Sequence, residues 1–187
     1  MHKVIFLFIP LLLCLGASQR PLWEISMKPK IKKNTIKKLV GYSRSISLSK
    51  NTTSEIWKDF FKSKNKIKGI VGTNLYSLSQ YNENHFEGNF FQKEFLKSVA
   101  TQVKEFIGVP QDMDMIEIPE SIYAVFQYKG SQKNAHKAFR FIFGTWLPKS
   151  GYELDNRPHF EILGAKYKQN SDDSEEEIWI PIKKKQK

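Results

Sequence analysis

Apolar residues recur along this chain with two periods, and the points where the period changes mark out its elements. Residues 37–49 ("KKLVGYSRSISLS") are rich in β-branched and aromatic side chains, which predicts a strand. Asn51, Thr52 and Thr53 then supply helix-capping groups, and Glu55 falls in the first turn. Ile56, Trp57, Phe60, Phe61 and Ile67 return at helical spacing, so a helix is expected from about Thr53 to Lys66. Gly69 and Gly72 break it, "TNLYSLSQY" (73–81) alternates as a second strand, and residues 82–88 read as a polar loop. The stretch "FLKSVATQVKEF" (95–106) fits a helix or a strand equally well by period. Past Pro110, "MDMIEIPES" and "SIYAVFQYKG" read as two strand-like runs joined at Pro119 and ended by Gly130. Ser131 or Asn134 can cap a helix in which Ala135, Ala138, Phe139, Ile142, Phe143 and Trp146 form one stripe; Pro148 stops it and Gly151 turns the chain. "HFEILGAKY" and "EEIWIPIKK" are two further strands, separated by the polar "KQNSDDSEE".

The two halves therefore share one plan: strand, aromatic-rich helix, two strands. A duplicated β-α-β-β unit predicts an α+β fold, with two helices on one face of a curved antiparallel sheet. The opposite face is then expected to curl into a concave surface between the halves.

Charge changes this picture little. The formal charge of +11 invites a phosphate-binding reading. The lysines, however, gather in two flanks, 28–38 and 183–187, with the acidic run 172–177 beside the second. Nucleic acid is disfavoured as a partner. The start, "MHK" followed by "VIFLFIPLLLCLGA" and small residues, has the order of a signal peptide over residues 1–19, which predicts a mature chain outside the cytoplasm with no stable membrane span; a cytoplasmic location is the alternative. Cys14 is the sole cysteine, so removal of that segment leaves no thiol chemistry. His2, His85, His136 and His159 have no metal-ligand spacing, and no nucleophile-elbow or glycine-rich phosphate motif is present, so no cofactor or metal is expected.

The blocks "IPESIYAVFQYKG", "GTWLPKSGYEL", "HFEIL" and "DDSEEEIWIPIKK" resemble, in order, those of GyrI-like effector-binding domains, which also form the small-molecule-sensing halves of AraC-type and MerR-type regulators. The resemblance covers residues 30–183, with modules at about 37–105 and 112–183 and a basic tail at 184–187. It implies that 95–105 is mainly strand. It also implies a groove between the halves that takes hydrophobic, often cationic or planar compounds. A stand-alone sensor without a DNA reader is expected. In the strand at 159–167, if Phe160 and Ile162 pack on the helices, Glu161 points into the groove, and the "FE" block assigns Glu161 a ligand-facing or acid role. Trp179 lies opposite the apolar face of Ile178, Ile180 and Ile182 and is expected to line the pocket. Tyr42, Tyr76 and Tyr123 sit on strands that would floor it, or pack as core. The rival expectations are a hydrolase of strained electrophiles using Glu161, and a protein-binding module of the gyrase-inhibitor kind.

Overall fold

The structure, a computed structural model, describes residues 23–185. The signal-peptide expectation lies outside the described residues. The first half holds β1 (Trp23–Ile25), β2 (Lys30–Asn34), β3 (Lys37–Ile46), α1 (Thr53–Ser63), β4 (Ile70–Gln80) and β5 (Phe95–Val103). The second holds β6 (Asp114–Ile118), β7 (Ser121–Gly130), α2 (Ala135–Phe141), β8 (Tyr152–Leu154), β9 (His159–Leu163) and β10 (Glu175–Lys184). Helix α2 continues through a π-helical turn, Ile142–Trp146, into the short α3 (Leu147–Lys149), whose Pro148 precedes the turn out of the helix. The repeated β-α-β-β plan is thus present as β3-α1-β4-β5 and β7-α2-β9-β10, and residues 95–103 are strand.

All the strand pairings are antiparallel, in the order β1-β7-β10-β9-β4-β5-β3-β6, with β2 also on β7 and β8 on β10. The two β-α-β-β repeats meet at the strand pair β4 with β9, while β1 and β2 lie on β7 and β6 lies on β3. Residues 35–36 join β2 to β3 and residues 119–120 join β6 to β7, each linking strands from opposite ends of that order. Two residues reach about 10 Å, whereas six or more strand spacings of about 4.8 Å exceed 28 Å. The sheet is therefore strongly curled, and the Asn34 side chain donates across the join to the Pro119 carbonyl at 3.2 Å.

Leu39, Leu78, Ala100, Ile118, Val125 and Phe160 fill the inside of the curl together with Tyr76, Tyr123 and Trp179. On the outer face, α1 packs over β3 and β5, burying Ile56 and Phe60 against Val40, Val99 and Phe95. Helix α2 packs over β7 and β1, burying Ala138 and Ile142 against Phe126 and Ile178, with Trp146 edge-on to Phe126 at 5.1 Å. β3 and β5 come close at Gly41, where a Cβ would run into the backbone of Val99 and Ala100.

This arrangement corrects one expectation. The concave face is not an open binding surface, because its own side chains fill it as core. The uncovered ground lies on the other face, between the two helices.

Candidate ligand-binding groove

Because α1 sits over β3 and β5 and α2 over β7 and β1, the outer face of β4 and β9 is left between them as a floor. Three cross-strand pairs run along it: Leu75–Leu163, Ser77–Glu161 and Ser79–His159. The alternate pairs, Tyr76–Ile162 and Leu78–Phe160, face the interior.

The groove is open at its Leu75–Leu163 end, as a cleft of about 440 Å³ walled by Trp57 and Phe61 of α1 and by Gln132 and Tyr167. That is the size range of small-molecule pockets. Trp57 and Phe61 are one helical turn apart and stack at 5.6 Å, presenting one aromatic surface, and Phe61 is 57 % exposed. Helix α2 repeats the device: Phe139 and the Phe143 that follows it stack at 6.2 Å. The Thr53 hydroxyl oxygen at the cleft is buried with no partner. Gln132 donates to the Tyr167 hydroxyl at 3.3 Å across this end.

The Ser79–His159 end is closed. Residues 81–94 fold back so that Tyr81 meets His159 at 5.0 Å, while Phe86 meets both His159 at 6.2 Å and Phe143 at 5.9 Å. His85 packs on Tyr81 at 4.6 Å with its Nε2 buried and unpartnered. Burial, reinforced by His85 and Lys97, drives His159 down to about 3, so the ring is neutral. Burial likewise lowers His85, with Lys93 adding to it.

Glu161 is half-buried midway along the floor, and no ion pair among the described residues includes it. Lys97 of β5, opposite Ser79, donates to Ser79 Oγ at 3.1 Å. The Glu161 charge is felt by Tyr81, whose phenol burial raises to about 12 with Glu161 contributing, and by Tyr167, raised by burial and then by Glu176 and Glu161. Glu176, near the start of β10, is a second carboxyl of this face and is 6 % exposed. Burial, with the Glu161 charge adding and Lys97 opposing, raises it to about 8.

Of the residues expected to bind ligand, only Glu161 stands on this floor. Its neighbours are assigned to faces differently from expectation: Phe160 packs away from the helices, stacked on Trp179 at 5.1 Å, and Glu161 pairs with Ile178 rather than sharing a face with Trp179. Trp179 is 7 % exposed in the interior, donating to Glu177 at 2.9 Å with Lys32 over its ring at 5.1 Å. Tyr123 and Tyr76 are core of the same cluster, donating to the Pro158 carbonyl at 3.3 Å and to Gln102 at 2.9 Å. Tyr42 lies on β3 among the residues packed with α1 and donates to Asp112 at 2.6 Å. Trp57, Phe61, Tyr167 and Glu176 were not singled out as site residues from the sequence. For Glu176 the signal was present: it shares the alternation of Ile178 and Ile180, so it falls on the face those residues bury.

Among the described residues no helix is long and apolar enough to cross a membrane, and no cluster of three or more metal-ligating side chains forms. The transcriptional regulator BrlR of Pseudomonas aeruginosa is 24% identical over 166 residues, which is 86% of this chain and 57% of the regulator, so the chain spans little more than half of that relative. The structure of SAV2435 bound to tetraphenylphosphonium superposes with a TM-score of 0.63 at 16% identity, covering 84% of this chain and 94% of that one. The EcmrR C-terminal domain gives 0.62 at 16%, covering 88% and 99%. At such identities the likeness is one of fold. The sequence pattern of the GyrI-like small molecule binding domain matches residues 27–183, and by that match the chain belongs to this family.

Proposed function

We propose that the groove between α1 and α2 takes up hydrophobic cations, with Glu161 as their counter-charge and the Trp57–Phe61 stack as their apolar wall. The observation that carries this reading is the placement of Glu161, a carboxylate without an ion pair on the same strand face as Leu163, two residues along the floor from the aromatic-walled cleft. A carboxylate there is poorly solvated, and a cation whose charge is spread over aryl groups offers it a partner at little desolvation cost. The fold-mate seen with tetraphenylphosphonium supports the choice of ligand chemistry.

The test is the affinity of tetraphenylphosphonium and of neutral triphenylphosphine oxide for the wild type and for Glu161→Gln. Loss of a charge-assisted contact is worth about 1 to 3 kcal/mol, so the variant should bind the cation about 5- to 150-fold more weakly and the neutral compound almost unchanged. Melting temperature serves as the control for folding. Equal losses for both compounds would remove Glu161 from the site, and no binding of the cation by the wild type would defeat the reading altogether.

A further inference from the structure

Glu176 has no part in that reading, yet it is a buried carboxyl on the same sheet face as Glu161. On β10 it lies two residues before Ile178, the strand partner of Glu161, so the two carboxyls are diagonal neighbours on one sheet face. Diagonal residues of adjacent strands are about 7 to 8 Å apart, close enough for two like charges to repel through a half-dry environment. On its other side Glu176 pairs with Tyr128 of β7, whose hydroxyl is already donated to the Ser131 carbonyl at 2.7 Å. Tyr167, from the loop after β9, feels the charges of both Glu176 and Glu161, and Tyr128 feels those of Glu176 and of Asp172 in the turn before β10. Lys97 on β5 is the cation that opposes the rise in proton affinity of Glu176, and its ammonium is engaged with Ser79. Flanking Glu175 and Glu177 point to the other face and are held by Lys166 at 2.9 Å and by Gln127 at 2.9 Å. No ion pair of the described residues reaches Glu176. Burial first, and then the Glu161 charge diagonal to it, push this carboxyl toward its protonated form.

We propose that Glu176 is a second acid of the same groove, holding its proton while the groove is empty and releasing it to solvent when a ligand brings a second positive charge. The balance is simple: the O–H bond of the carboxyl breaks, the proton passes to buffer, and the carboxylate left behind accepts the second charge. The groove then adjusts its own charge to the ligand, from one negative charge on Glu161 to two. This rests on the groove taking cations, as proposed above.

The experiment uses two matched probes, benzyl viologen as dication and 1-benzyl-4-phenylpyridinium as monocation. Calorimetric titration at pH 7 in buffers of different ionisation enthalpy counts the protons released. Wild type should release most of one proton on binding the dication and little on binding the monocation. In Glu176→Gln the release should vanish and the dication should bind about tenfold more weakly, with the monocation within about threefold of wild type. In parallel, carbon-13 NMR of the ligand-free wild type should show a glutamate carboxyl titrating near pH 8, absent from Glu176→Gln. If both cations bind without proton release, the second acid is overturned and the groove reading survives. If no carboxyl titrates above the ordinary range, Glu176 is ionised in the empty groove and the proposal falls before any ligand is added. If neither probe nor tetraphenylphosphonium binds, both readings fall together.

Discussion

His159 shows what burial does to one residue. It stands on the same strand face as Glu161 but is enclosed by Tyr81, Phe86 and Phe143, and its protonation is pushed down to about 3 from an ordinary value near 6.5. The folded-state value is the lower one. Its contribution to stability is therefore complete above pH 6.5 and is lost as pH falls from there toward 3, by up to about 1.4 kcal/mol per pH unit. His159→Phe, which keeps an aromatic ring in the cluster, should flatten that loss. Urea midpoints at pH 7 and pH 4.5 for wild type and variant will measure it, and parallel declines would show that His159 ionises without cost. The sequence marked His159 only as a histidine lacking metal-ligand spacing. Its real environment comes from Phe86 and Phe143, which are distant in the chain and carry no local sign of the contact.

At the scale of elements, the segment 81–94 closes the end of the groove through Tyr81 against His159 and through Phe86 against Phe143 and His159. Phe86→Ala should raise amide hydrogen exchange throughout 81–94 while leaving the β4–β9 ladder protected. Unchanged exchange in the segment would place its anchor elsewhere, at His85 or Phe90. Both helices and most long strands are legible from period, and the stripe of Ala135, Ala138, Ile142 and Trp146 does pack on β7 and β10, whereas β5 fits helix or strand by period and is read as strand only through the family resemblance. Three things were not legible. Residues 82–88 read as a polar loop, since isolated aromatics among polar residues have no period. β2 is mostly lysine and becomes a strand only by pairing with β7. The face assignment of β9 and β10 failed for a different reason. Both of their faces are apolar, because one is buried by helices and the other by the curl, and alternation says which residues share a face but not which face is wet. Hence Glu161 was identified from the residues of its block, while Trp179 was sent to the groove and Glu176 was passed over.

Across the whole molecule, the repeats β3-α1-β4-β5 and β7-α2-β9-β10 pair with each other where residues 75–79 of β4 meet residues 159–163 of β9, while β2 on β7 and β6 on β3 make further long-range joins. That seam brings together segments roughly 80 to 90 residues apart, so its closure carries a large loop entropy and is expected late in folding. The same seam is the groove floor. A ligand on Glu161 touches structure that exists only once the seam has closed, and it can lend nothing to the barrier the chain crosses on the way in. Saturating tetraphenylphosphonium should accordingly slow unfolding and leave the refolding rate nearly as it was, in stopped-flow denaturant jumps followed by tryptophan fluorescence. A ligand that mainly accelerated refolding would mean that the seam forms early. Where it forms late, occupancy is registered as lifetime: the bound chain outlasts the empty one under any agent that attacks the open state, so the abundance of the protein itself becomes a record of whether its ligand is present.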